Sequence, residues 1–165
     1  MKINIRKVKE NDLLLLLKWR NQKKVRNLFV NRHIISNKEH IGWWKQINES
    51  SNKFLWIVEN NSKSIGVIQI FKYSLKKKSF WWSGHLGENV KKYNLNTFGI
   101  WCAIEEQVIK IAKKFKCKKI LCETFSKNKI VLQIHERYDY KVLSTKKLKY
   151  KNQIETLVVT QKNLI

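Results

Sequence analysis

The side chains able to do chemistry fall in three stretches of the sequence. Near the start, Arg20 and Asn21 are followed by Phe29, His40 and Trp43. In the middle, Ser83-Gly84-His85-Leu86-Gly87-Glu88 sets an imidazole and a carboxylate among glycines, and Lys92, Asn94, Asn96, Thr97, Phe98 and Gly99 come soon after. Near the end, Asn128 precedes His135-Glu136-Arg137-Tyr138-Asp139-Tyr140. A guanidinium grips a phosphate through a fork of N–H bonds. Rings such as Phe29 and Trp43 offer flat apolar faces for stacking on a ligand. His85 and Glu88 are an imidazole and a carboxylate able to act as a general base. The loop Asn94–Gly99 opens a helical pattern, and a helix N-terminus offers N–H groups and partial positive charge suited to a pyrophosphate. Lys92 adds charge nearby. Several of these residues also have a purely structural alternative: an ion pair of Arg20 with Glu10 or Asp12, Trp43 in the core, His40 on a helix surface, and Asn96 or Thr97 as a helix cap.

The elements that must hold these residues are legible from periodicity. Apolar alternation predicts strands at 2–8, 54–59, 65–73, 79–88, 118–124, 140–145 and 154–160. Helical spacing predicts a helix from Asn11 or Asp12 to about Asn27. A second starts at the capping box Ser36-Asn37-Lys38-Glu39. A third covers 98–115 through Ile100, Ile104, Val108, Ile111 and Phe115, and a fourth covers 127–137. Lys146–Asn152 reads as a hairpin loop. Gly84 and Gly87 weaken their strand, which implies a bulge or the close approach of a ligand. The order β, α, α, β, β, β, α, β, α, β, β belongs to one domain, 1–165, of the α/β (α+β) class. Strands and helices do not alternate throughout, so it is not of the dinucleotide-binding Rossmann type.

Composition narrows the function classes. The chain has 165 residues, 43% hydrophobic and 12% aromatic, which supplies one buried core and excludes a disordered chain. No apolar run approaches the ~18 residues of a membrane helix. The start lacks a signal peptide's apolar stretch and cleavage site. A cytoplasmic protein without a membrane partner is therefore expected. The net charge of +23 is spread along the chain as lysine. It reads first as a solvated lysine-rich surface, with a field that draws in polyphosphate ligands as the alternative, and not as a dedicated nucleic-acid interface. The three cysteines make no disulfide framework, and the four histidines lie far apart without zinc-ligand spacing. No metal is expected.

The element order resembles the GNAT N-acetyltransferase fold. The resemblance implies a mixed, mostly antiparallel central sheet of about seven strands flanked by about four helices, with acetyl-CoA as co-substrate. It implies that the pantetheine arm pairs with the backbone at Leu86 and Gly87, and that N–H groups near Leu86–Glu88 polarise the thioester carbonyl. The family's pyrophosphate loop, Gln/Arg-x-x-Gly-x-Gly/Ala, is matched with Asn94 at its first position, Thr97 at the first glycine and Gly99 at the last. A second signature, Asn followed by a short helix and Tyr-Glu-x-x-Gly-Phe, is met by Asn128 and His135–Tyr140. Here His135 stands where the family's Tyr protonates the departing thiolate, Asp139 replaces Gly and Tyr140 replaces Phe. An imidazole of ordinary pKa ~6.5 is partly protonated near neutrality and can be that acid. The alternative is that His135 only packs against CoA.

The segment Trp19-Arg20-Asn21, with Ser36-x-x-Glu39-His40, is similar to the subgroup that acetylates nucleotide-linked amino sugars, as in pseudaminic acid biosynthesis. That similarity implies that Arg20 and His40 hold the nucleotide. Less closely, the chain resembles ribosomal-protein N-terminal acetyltransferases. The competing functions are a protein N-terminal or lysine acetyltransferase, and a GNAT-like binding protein without catalysis. Exposed strand edges are compatible with a homodimer.

Overall fold

The structure, a computed structural model, describes residues 3–88, 90 and 96–164. Of the expected cofactor residues, Lys92 and Asn94 lie outside the described residues. The strands are β1 (Ile3–Lys7), β2 (Phe54–Asn60), β3 (Lys63–Ser74), β4 (Ser79–Leu86), β5 (Lys119–Phe125), β6 (Lys141–Tyr150) and β7 (Gln153–Asn163). The helices among the described residues are α1 (Leu13–Asn21), α2 (Lys23–Arg26), α3 (Asn37–Asn48), α4 (Thr97–Lys114) and α5 (Lys129–Arg137). One seven-stranded sheet runs in the order β1-β2-β3-β4-β5-β7-β6. The β1–β2, β2–β3, β5–β7 and β6–β7 ladders are antiparallel, and β4–β5 is parallel. The sheet is mixed and mostly antiparallel, as expected. Among the described residues no helix is long and apolar enough to cross a membrane.

The β4–β5 ladder is short. Its register runs from Ser79↔Lys119 to Trp82↔Cys122. Strand β4 nevertheless continues to Leu86 and β5 to Phe125, so both strands outrun their shared ladder.

The chain divides into two compact units, Met1–Phe71 with Gly84–Asn96, and Lys72–Ser83 with Thr97–Ile165. In the first, Val8, Leu16, Trp19, Ile47, Leu55, Ile57 and Val67 form a buried cluster, with Trp43 and Trp44 packed against it. Burying each such side chain contributes about 1.5–3 kcal/mol. The Arg6 guanidinium ties β1 to its surroundings through Asp12 and Glu59, both at 2.7 Å. In the second, α4 packs on β5 and α5, and Ile100, Ile104, Val108 and Ile111 bury one face of α4.

Strand ends shift by a few residues, as at β4 and β7, and two larger departures from the periodicity have a structural cause. The helix expected to reach Asn27 breaks at Gln22, whose ψ of 133° is extended, and resumes as the single turn α2. The break lets Asn21 turn its side chain to the backbone of Ile35 instead of continuing the helix. The hairpin loop expected at Lys146–Asn152 shrinks to a turn around Lys151, whose φ is 52°. Residues Lys146–Tyr150 stay in β6. They pair with β7 at the sheet edge, where exposed lysines are tolerated in a strand and blunt its edge.

Candidate active site

In the first unit, α1, the segment after α2 and the end of β4 bring three of the expected residues together. The Arg20 guanidinium lies 4.1 Å above the centre of the Phe29 ring, and the Phe29 ring meets His85 edge-on at 5.7 Å. Arg20 Nη2 donates to the Asn31 carbonyl at 2.8 Å. Asp12, one of its two expected ion-pair partners, is taken instead by Arg6. Burial and the nearby Arg26 lower the Arg20 pKa, so its charge is held against a like charge. His85 is buried, and desolvation with the Arg20 charge pushes its pKa to about 3. It is therefore a neutral imidazole at physiological pH. Arg20 Nη1, Gln22 Nε2, Trp19 Nε1 and His85 Nε2 are buried and without hydrogen-bond partners among the described residues. Unsatisfied buried polar groups are costly, about 1–3 kcal/mol each, and are ordinarily met by water, an ion or a ligand.

The other expected substrate residues are spent on structure. Asn21 clamps Ile35, donating to its carbonyl and accepting from its N–H, both at 2.8 Å. His40 is buried, not on a helix surface. Its Nε2–H donates to the Leu13 carbonyl at 3.0 Å, and burial lowers its pKa. Trp43 stacks on the His40 ring at 5.0 Å and packs against the core.

Glycine 87 has its own reason. A Cβ at this position would stand 2.2 Å from Cε2 of Trp19, so the close approach the sequence implied is that of an indole. Its N–H donates to the Ile65 carbonyl at 2.8 Å and is already used. Glu88 forms an exposed ion pair with Lys18 at 2.5 Å. Leu86, half-buried, is the last residue of β4.

In the second unit, Thr97, Phe98 and Gly99 form the first turn of the 18-residue α4, after the exposed Asn96. The positive end of the helix dipole lies there. Asn128 precedes α5 and its Nδ2 donates to Thr124 Oγ1 at 3.3 Å. His135 is almost fully buried on α5. Its ring stacks on Tyr140 at 4.5 Å, and its Nδ1 lies 3.0 Å from Thr160 Oγ1. Desolvation pushes its pKa to about 4, so it is neutral near pH 7 and not the partly protonated group the sequence suggested.

Glu105 escaped the sequence reading. It lies on α4, fully buried, and its Oε1 accepts from the Tyr140 hydroxyl at 2.6 Å. Burial raises its pKa to about 7 against the lowering effects of Tyr140 and Lys162. The signal was present: Glu105 shares the helical stripe of Val108 and Ala112, both buried, where a carboxylate is out of place. Cys117 and Cys122 are buried thiols and Cys102 is partly exposed. Among the described residues, no three His, Cys, Asp or Glu side chains converge as a metal site would need.

No protein-family model matches the chain. In sequence it is 23% identical over 140 residues to the acetyltransferase PseH of Campylobacter jejuni, covering 84% of this chain and 83% of that protein. The solved structure of Campylobacter jejuni PseH in complex with acetyl coenzyme A superposes with a TM-score of 0.69 at 17% identity, covering 98% of this chain and 99% of that one. Spermidine N-acetyltransferase from Vibrio cholerae, in complex with CoA and spermine, superposes with a TM-score of 0.86 at 10% identity, covering 98% and 95%. The chain has the GNAT acetyltransferase fold, and its sequence is similar to that of PseH.

Proposed function

We propose that the protein transfers an acetyl group from acetyl-CoA to the amino group of a nucleotide-linked amino sugar. The observation that carries the substrate half of this reading is Arg20, a half-buried guanidinium that leans on Phe29 and has Arg26 as its charged neighbour. A cation in that setting suits a diphosphate, and the adjoining aromatic face suits a base or a deoxy-sugar. It is a poor seat for a polyamine, whose charges it repels. The similarity to PseH supports the same class. On the cofactor side, the positive end of α4 at Thr97–Gly99 suits the CoA pyrophosphate, and Asn128 precedes the helix that carries His135.

In the reaction, the amine nitrogen bonds to the thioester carbonyl carbon, the C–S bond breaks, and the proton lost by the amine is balanced by one gained by the thiolate. His85, neutral and buried, is suited to accept a hydrogen bond from the incoming amine, but its pKa of about 3 keeps it from holding the proton, which passes to water, and Glu88 is paired with Lys18. The test is thiol release from acetyl-CoA with a panel of nucleotide-linked amino sugars, peptides with free N-termini, and polyamines. Release with the sugar nucleotides is expected. Release with peptides alone shifts the substrate to protein N-termini. A melting temperature unmoved by millimolar CoA overturns the acetyltransferase reading, since a bound ligand must raise it.

A further inference from the structure

One end of the second unit concentrates lysine. The hairpin tip between β3 and β4 reads Leu75-Lys76-Lys77-Lys78, and the turn from α4 into β5 reads Lys116-Cys117-Lys118-Lys119. The stretches 72–78 and 110–119 together hold ten of the chain's 35 basic residues in 17 positions, and none of its 12 acidic ones. An even spread over 165 residues would place about four there. A general bias toward lysine therefore does not account for this end. The two stretches are fastened to each other. The Lys78 carbonyl accepts from the Lys118 N–H at 2.6 Å and from the Lys119 N–H at 3.1 Å. Ser79 and Lys119 open the parallel ladder between β4 and β5. The Tyr73 and Phe115 rings pack on each other with centroids 5.1 Å apart. Lys76, Lys77, Lys78, Lys116, Lys118 and Lys119 are exposed, and among the described residues no ion pair reaches them. The helix dipole accounts for Lys113 and Lys114 in the last turn of α4, but not for the hairpin tip. At that tip Leu75 is 64% exposed.

The kind of charge decides what this surface fits. Neither stretch contains arginine, so there is no planar fork to grip a phosphate or a base edge. Tyr73 and Phe115 are packed together, and the Lys72 ammonium lies 5.0 Å from the centre of the Trp81 ring. These rings form no row of open faces for unpaired bases. Flexible point charges around one exposed leucine fit the headgroup layer of an anionic bilayer. The ammonium groups meet lipid phosphates, and the leucine enters the apolar boundary. We infer that this end of the second unit docks on an anionic lipid surface, with the lysines of the hairpin tip and of the α4–β5 turn at the headgroups and Leu75 inserted between them. The expectation of no membrane partner rested on the lack of a spanning stretch, and attachment to a surface needs none. The 18-residue α4 is about 27 Å long, and Thr97 is at its other end. Docking therefore leaves the proposed cofactor end of α4 open, and it does not depend on what the chain acetylates.

The experiment is co-sedimentation of the full chain with vesicles at about 0.15 M salt. One set of vesicles is phosphatidylcholine alone, and the other has phosphatidylglycerol mixed in. Binding to the second set only, weakening as salt rises, is expected. Each lysine near an anionic surface raises partitioning about fivefold, so Lys76→Gln, Lys77→Gln and Lys78→Gln combined should lower it about a hundredfold. The charge-matched control combines Lys146→Gln, Lys147→Gln and Lys149→Gln. These exposed residues pair near the start of β7, whereas Lys119 pairs with Asn163 at its end. The control is expected to bind nearly as the parent does. Leu75→Ser keeps every charge and should lower binding about tenfold. All substitutions fall on exposed side chains, and melting temperatures near the parent's show that the variants fold. Failure of the parent to bind the phosphatidylglycerol vesicles overturns the inference. So does an equal loss in the two triple variants, which would make net charge the whole cause. Full binding by Leu75→Ser overturns the insertion. Tighter binding to single-stranded RNA than to these vesicles at the same salt overturns the lipid assignment in favour of nucleic acid.

Discussion

Gly87 and Trp19 meet so closely that a Cβ at position 87 would lie 2.2 Å from Cε2 and 2.4 Å from Nε1 of the indole. Trp19 is fully buried in the first unit's apolar cluster, so it has nowhere to retreat. The glycine is thus a packing requirement. Gly87→Ala is expected to lower stability by about 1–3 kcal/mol, the usual range for overpacking. Chemical denaturation at neutral pH measures it. A variant as stable as the parent defeats this account of the glycine.

Glu105 makes stability fall as pH rises. Its folded pKa, about 7, lies above the ordinary 4.5. Below pH 4.5 both folded and unfolded chains hold the proton and there is no penalty. Between the two values the unfolded chain releases the proton first, so stability is lost across that window. A shift of this size corresponds to on the order of 3 kcal/mol. Glu105→Gln, which keeps an oxygen for Tyr140 without the charge, is expected to gain on the parent progressively from pH 4.5 to about 7. A constant difference over that range rules the effect out.

The buried histidines act with the opposite sign. His85 and His135 have folded pKa values of about 3 and about 4, below the ordinary 6.5. Between those values the unfolded chain binds protons that the folded chain refuses, so stability rises with pH up to about 6.5 and is lost on acidification. Two such groups outweigh the single Glu105 between pH 4.5 and 6.5. Net stability is expected to rise through that window, and His135→Gln should flatten the slope by up to ~1.4 kcal/mol per pH unit. Urea midpoints at stepped pH test this, and an unchanged slope in the variant contradicts it.

Arg20 and Asn21 are adjacent but are expected to fail differently. Arg20→Ala removes a guanidinium that has a backbone carbonyl and an aromatic face as neighbours, and should weaken sugar-nucleotide binding by about 1.5–3 kcal/mol while CoA stabilisation persists. Asn21→Ala breaks two bonds to Ile35 and should cost about 1–3 kcal/mol of stability with binding per folded molecule retained. Titration calorimetry beside thermal melts separates the two. Equal loss of CoA binding in Arg20→Ala sinks the assignment.

The sequence by itself determined the element order, because periods of two and 3.6 in apolar residues are local properties. It also determined the helix start at Ser36, where Glu39 accepts from the Ser36 N–H at 2.8 Å, and the long α4 with its apolar face. Local reading missed the break at Gln22, because the force behind it is a clamp between Asn21 and Ile35, distant in sequence. It ended β6 too early, because edge pairing with β7 holds lysines that look like loop. The site shows the same division. Residue types marked Arg20, Phe29, His85 and His135 as candidates. Only the tertiary structure decided that Arg20, Phe29 and His85 share one place, while His40, Asn21 and Trp43 brace the fold. Protonation was likewise decided there. A histidine in a sequence carries its ordinary pKa of ~6.5, whereas burial of His135 and Glu105 sets one neutral and brings the other near pH 7. Desolvation depends on everything packed around a group, and no stretch of neighbouring residues contains that information.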